Sequence, residues 1–197
     1  MTIKEPDEDV IVSWEHPAFA YIKSYVDSVE DTFESSDYEK IKEMIDVESY
    51  IDWYLIHEVV QNFEPIHPKS SYMYKARNGK LYAGPVWDFD WGTFIPGVNG
   101  LRLTNAIWYK YLFKNDEFKS TLKARWSELK PKFEDIEDFI KEQAALTKES
   151  NEVNIKKWPI NSSTNGDEQL SFDDAIERMI SAYTSRIESV DTAISGL

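Results

Sequence analysis

The segment Gly84–Asp90, which reads Gly-Pro-Val-Trp-Asp-Phe-Asp, carries the residue pattern most able to do chemistry. In an extended strand the side chains of Asp88 and Asp90 project to the same face. Two carboxylates with roughly 7 Å between their Cα atoms repel one another, so they must face water or share a cation. Mg²⁺ often takes only one or two carboxylates, with phosphate and water oxygens completing its shell. The pattern therefore predicts either a metal-binding strand or a solvated acidic strand.

Two neighbouring features favour the metal-binding interpretation. Trp87, Phe89 and Trp91 alternate with the aspartates, so the same strand would point these aromatic side chains into the core. A polar cluster precedes the segment and consists of Glu58, Asn62, Glu64 and His67. Neither feature is specific alone, but together they shift the balance away from a merely solvated strand.

Helices precede this site. Apolar residues recur at three- and four-residue steps from Ala18 to Phe33, and a short helical piece follows around Tyr38–Met44. The clearest helix starts after Asp46, a plausible N-cap, and should reach about Asn62 before two prolines forbid its continuation. The polar cluster therefore falls at the end of this helix and in the loop after it.

A β-hairpin is predicted from Ser70 to Ala83. Residues alternate on both sides of the Asn78-Gly79 pair, which tolerates the positive φ values of a primed turn. The second strand is expected to continue as far as Trp91 and so to carry the two aspartates.

Helical patterns return after a loop rich in proline and glycine. Thr104 and Asp116 are predicted caps of the next two helices, Pro131 is predicted to break the second, and a longer, more polar helix should follow. The sequence thus predicts one α+β domain, predominantly α-helical with a small central antiparallel hairpin. Its expected parts are a polar leader (1–15), helices (16–62), the hairpin and acidic strand (70–91) and a helical tail (104–197).

Composition excludes several classes of function. The 197 residues carry 22 Lys and Arg against 36 Asp and Glu, a net charge of −14, which opposes binding to nucleic-acid phosphates. The chain has no Cys, so disulfides, thiolate metal sites and cysteine nucleophiles are excluded. No apolar run approaches the roughly 20 residues of a membrane span, and no signal peptide is visible.

The three histidines share no ligand spacing. His57 is expected on the polar side of its helix, and His16 and His67 each precede a proline. Hydrogen-bonded or solvated histidines are therefore predicted, not a histidine metal site.

Several segments, in their order along the chain, resemble the spore coat protein H (CotH) kinase family. The likeness covers most of the chain, and the Trp-Asp-Phe-Asp block after a Tyr-x-Tyr-Lys hairpin is its most specific part. The segments are Ile45-Asp46-Val47, Tyr50-Ile51-Asp52, Glu58 and Asn62, Ser71-Tyr72-Met73-Tyr74-Lys75, Gly79-Lys80-Leu81, Gly84-Pro85-Val86-Trp87-Asp88-Phe89-Asp90, and the helical segments 108–112, 116–129, 154–158 and 172–194.

The resemblance implies an atypical protein kinase that uses Mg²⁺ and ATP to phosphorylate Ser or Thr of a protein substrate, in the cell envelope or outside a bacterial cell. By position, Asp88 would be a catalytic metal ligand and Asp90 a second ligand that contacts the cofactor. Asn62 would also contact the cofactor. Glu64 would occupy the place of an upstream catalytic Asp, where the family commonly reads Asn-x-Asp.

Two departures from the family lead to a second hypothesis. Glu64 reaches one methylene further than Asp, and such a displacement can cost on the order of a hundredfold in rate. The family's amino-terminal, nucleotide-covering part has no counterpart, so the chain would resemble only the C-terminal lobe of such a kinase and is expected to be incomplete or inactive alone.

The alternative is a non-catalytic surface domain that binds protein or carbohydrate, since seven Trp and eleven Tyr could form a stacking platform. A carboxylate hydrolase is disfavoured because paired glycosidase carboxyls flank their substrate from opposite sides.

Overall fold

The computed structural model of the chain describes residues 2–6, 9–11, 13–67, 69–90, 92–159 and 170–197. Trp91, predicted to be a core residue, lies outside this part. The described residues are mostly helical with one two-stranded antiparallel sheet, which confirms the predicted fold class. The elements are α1 (Pro17–Ser35), α2 (Tyr38–Met44), α3 (Val47–Val60), β1 (Met73–Lys75), β2 (Leu81–Ala83), α4 (Tyr109–Leu112), α5 (Asp116–Glu134), α6 (Ile136–Lys157) and α7 (Phe172–Ser195).

Side-chain caps set where several helices begin. The Asp46 carboxylate accepts a hydrogen bond from the Ser49 N–H at 2.9 Å, which confirms the predicted start of α3. Asn115 caps α5, so Asp116 is the first helical residue and not the cap. The prediction that Thr104 caps a helix is wrong, because α4 begins only at Tyr109.

Pro131 lies inside α5 and does not break it. A proline has no N–H to donate to the carbonyl four residues earlier, yet the helix continues for three more residues, to Glu134. Asp135 then separates α5 from α6, which begins at once with Ile136. The break between the two helices therefore lies at Asp135 and not at Pro131.

The hairpin is short and is docked on the start of α3. Met73 pairs with Ala83 and Lys75 with Leu81. Of the Asn78-Gly79 pair only Asn78 has positive φ, so the predicted primed turn is wrong and residues 76–80 form a longer connection. The Leu81 carbonyl accepts from the N–H of Asp46 at 2.9 Å, which ties β2 to the N-terminus of α3.

Helix α3 is the centre of the core. Its buried side chains cover nearly its whole circumference, and α5 and α7 pack against it. Trp126 of α5 is buried, and its indole N–H donates to Asp191 of α7 at 2.8 Å. Because α3 is enclosed on several sides, the residues at its C-terminal end are held firmly. Among the helices in the described ranges, none is both long and apolar enough to cross a membrane.

Candidate functional site

Asn62 joins the two parts of the chain that the sequence singled out. Helix α3 ends at Val60 and is capped by Gln61, whose backbone is left-handed, and the Asn62 N–H then donates to the His57 carbonyl at 2.9 Å. This turn buries the Asn62 side chain almost completely. Its amide nitrogen donates to the carbonyl of Asp88 at 2.8 Å, and its amide oxygen accepts from the N–H of Glu64 at 3.1 Å. Asn62 therefore fixes the backbone on both sides of the site.

Residues 84–90, here called the acidic loop, are not a strand. β2 ends at Ala83, and the loop contains positive φ values at Gly84 (120°) and Asp88 (66°). The predicted extended conformation is therefore wrong, and Trp87 is 57% exposed where a core position was expected. The physical reason is local, since aspartate tolerates the left-handed region and the buried amide of Asn62 holds the Asp88 carbonyl in that turn.

The carboxylates of Asp88 and Asp90 nevertheless lie next to each other. Ser70 donates its hydroxyl to Asp88 Oδ2 at 2.8 Å and orients this carboxylate. A side-chain hydrogen bond with Asp88 raises the pKa of the Asp90 carboxyl, and the charges of Asp88 and Glu64 raise it further. The acidic loop and Glu64 thus gather negative charge at one place.

Glu64 stands beside this pair, in a single 3-10 turn formed by residues 64–66. One oxygen of its carboxylate, Oε2, is buried and has no hydrogen-bond partner in the described part of the chain. No group of three or more His, Asp or Glu side chains in that part has the arrangement of a metal centre. A cation bound here would therefore have the two aspartates as its protein ligands, and other oxygens would have to complete its coordination shell.

Glu58 lies in the protein interior and has a structural role. Its carboxylate is fully buried and accepts the N–H groups of Arg102 and Leu103, both at 2.7 Å. Arg186 of α7 pairs with the same carboxylate and donates to the Gly100 carbonyl at 2.6 Å. Burial raises the pKa of the Glu58 carboxyl, and Arg186 and the two N–H groups counter that rise. This buried clamp holds the end of α3, the loop at 98–103 and α7 together.

His57 is buried next to the acidic loop. The prediction that this histidine is hydrogen-bonded or solvated is wrong. The ring is buried and lies 4.0 Å from the Trp53 ring and 5.3 Å from the Phe89 ring between centroids. Neither ring nitrogen has a hydrogen-bond partner among the described residues. Burial lowers the pKa of His57 from 6.5 to about 4, so the ring is neutral at pH 7. His67, in contrast, is exposed.

A surface cleft of about 350 Å³ runs beside the start of the acidic loop. Trp53 and Ile56 of α3 form one wall, Tyr74 of β1 another, and Gly84–Val86 the edge nearest the aspartates. The cleft borders the acidic loop at Gly84–Val86, and neither Asp88 nor Asp90 lines it.

Replacing Asn62 by Ala should destabilise the protein by about 1–3 kcal/mol, because the Asp88 carbonyl and the Glu64 N–H would lose their partner. Urea denaturation of the variant would measure the loss. Asn154→Ala, at an exposed position of α6, is the matched control and should change stability by less than about 0.5 kcal/mol. Equal effects of the two substitutions would contradict the joining role of Asn62.

Comparison of the sequence with known proteins identifies one family. The sequence model of one family, described as CotH kinase protein, matches residues 5–190, most of the chain. Searches of the curated proteins and of the solved structures each found no significant match. The family match covers α1 to α6, the acidic loop and most of α7. The chain therefore belongs to the CotH kinase family.

Proposed function

We propose that this chain binds Mg²⁺ together with the phosphate groups of ATP at the acidic loop, and that the site transfers a phosphoryl group to a Ser or Thr hydroxyl of a protein. The observation that carries the proposal is the adjacent pair of carboxylates on Asp88 and Asp90, which lie close enough for Asp88 to raise the pKa of Asp90. In the described residues no Lys or Arg forms a salt bridge with Asp88, Asp90 or Glu64. Family membership supports a role for this pair in binding Mg²⁺ and ATP. It also favours location of the protein in the cell envelope or outside the cell.

The donor set suits Mg²⁺. This ion is usually held by one or two carboxylates plus phosphate and water oxygens, which is what Asp88 and Asp90 could provide. A bound cation would relieve the repulsion between the two carboxylates. Its affinity should therefore fall as the pH falls through the raised pKa of Asp90.

Each residue has a distinct role in the proposal. When bound, Mg²⁺ and ATP supply the phosphoryl group and neutralise its developing charge. Asp88 and Asp90 hold the cation, and Glu64 accepts the proton of the substrate hydroxyl. Asn62 acts as a positioning residue, since both ends of its amide are already engaged inside the protein.

Calorimetric titration of ATP with Mg²⁺ into this chain tests the proposal. Asp88→Asn keeps the size of the side chain but removes its charge, and we expect it to weaken binding at least tenfold, about 1.4 kcal/mol. Asp31→Asn, at an exposed position of α1, is the charge-matched control and should bind like the parent protein. Absence of binding at millimolar ATP, or equal binding by the Asp88 variant, would contradict the proposed site.

A non-catalytic binding domain is the second candidate function. Tyr74 and Trp87 are 55% and 57% exposed, and Tyr74 lines the cleft while Trp87 follows its edge. Exposed aromatic rings near a cleft suit stacking against a sugar or a protein side chain. Quenching of tryptophan fluorescence by soluble polysaccharides, lost in Trp87→Ala, would favour this candidate.

A further inference from the structure

Helix α6 exposes a regular apolar stripe on the side away from the core. Phe139, Leu146 and Val153 are 57%, 74% and 67% exposed and follow one another at seven-residue steps. Residues seven apart on an α-helix differ by only about 20° around its axis, so the three side chains form one line. Ile140, in contrast, is buried on the side where α6 packs against α7.

Charge is distributed along α6 in a way that favours one arrangement of a partner. Asp135 and Asp138 lie at its N-terminal end, and Lys156 and Lys157 lie at its C-terminal end. Within the described ranges, no salt bridge includes Asp135, Lys156 or Lys157. A partner that matches this helix must therefore present an apolar line with positive charge opposite Asp135 and negative charge opposite the lysines.

An antiparallel copy of the same helix meets these requirements. Phe139 and Val153 are each seven residues from Leu146, and Asp135 and Lys157 are each eleven residues from it. A two-fold axis at Leu146 would therefore place Phe139 opposite Val153 of the second copy and Asp135 opposite its Lys157. A parallel copy would instead place each lysine opposite itself, where like charges repel.

We propose that two copies of this chain associate through the exposed face of α6, antiparallel, with Leu146 at the two-fold axis. The helix has 22 residues, or about 33 Å, and the apolar stripe spans most of that length. One helix from each copy makes a small interface, so the dimer should be weak and reversible. The proposal is independent of the chemistry at the acidic loop.

Disulfide cross-linking tests the antiparallel arrangement directly, because the natural chain has no Cys. Under mild oxidation Leu146→Cys should form a covalent dimer with itself, since the two copies of this residue meet at the axis. Phe139→Cys and Val153→Cys should each stay monomeric alone but should cross-link when mixed. Failure of Leu146→Cys to cross-link, or self-linking of Phe139→Cys, would overturn the proposal.

Sedimentation equilibrium of the full chain measures the association itself. The parent protein should dimerise as its concentration rises, and Leu146→Glu should weaken the dimer at least tenfold. Ala145→Glu adds the same charge at an exposed neighbouring position off the stripe and should leave the dimer intact. Lys157→Glu should weaken association, and Asp135→Lys combined with it should restore association. A chain that stays monomeric at about 1 mM, or a dimer unaffected by Leu146→Glu, would overturn the proposal.

Discussion

Replacing Arg186 by Met is expected to lower the free energy of unfolding by about 3–5 kcal/mol, the largest effect on stability that we predict. The substitution leaves the Glu58 carboxylate fully buried without its ion-pair partner, and an unpaired buried charge is strongly destabilising. It also removes the donors to the backbone carbonyls of Glu58 and Gly100. Urea denaturation followed by tryptophan fluorescence would measure the loss.

Arg178→Met is the matched control for Arg186→Met. Arg178 lies on the same helix, α7, but is exposed, so its replacement should change stability by less than about 0.5 kcal/mol. A double variant, Glu58→Leu with Arg186→Met, should recover only part of the loss, because the N–H groups of Arg102 and Leu103 would remain unpaired. A loss below about 1 kcal/mol for Arg186→Met would contradict the buried clamp.

His57 should make the protein less stable as the pH falls from 6.5 to about 4. The buried ring has a lowered pKa in the folded state, so in this window the unfolded state binds the proton more readily. Stability from the neutral ring is thus fully present above pH 6.5 and is lost as the pH falls toward 4. The lowering from 6.5 to about 4 corresponds to about 3 kcal/mol.

The His57→Leu variant isolates this contribution from that of the carboxylates. Free energies of unfolding measured between pH 7.5 and pH 4 should decline less steeply in the variant than in the parent protein, by about 3 kcal/mol over the window. His67→Leu is the control, since His67 is exposed and its replacement should leave the slope unchanged. Parallel pH profiles for the parent and His57→Leu would show that the ring is hydrated or charged in the folded state.

Most helices could be predicted from the sequence because their signals are local. The steps of apolar residues in α1 and the Asp46 cap of α3 depend only on residues within a few positions. The errors at Asp116 and Pro131 are also instructive. Asn115 accepts from the N–H groups of Glu117 and Phe118, and the packing of α5 against α7 carries the helix past the proline.

The site was predicted less completely, because its shape depends on contacts between distant segments. The residue pattern identified Asn62, Asp88 and Asp90, but the turn at Asp88 is fixed by an amide 26 positions away in the sequence. Ser70 gave no signal at all. The sequence does carry a signal for Arg186. This charged residue lies within the apolar stripe of α7, next to Ile187, and a charge at such a position requires a buried partner.

The clamp between Glu58 and Arg186 also bears on how the protein is made. These residues are 128 positions apart, so a nascent chain emerging from the ribosome contains Asn62 and the acidic loop long before α7 is synthesised. The Asn62–Asp88 contact can form early, but Glu58 stays unpaired until α7 arrives. We therefore expect the end of α3 and the acidic loop to reach their final positions only when synthesis has passed Arg186, so that Asp88 and Asp90 would be less firmly held in a half-made chain.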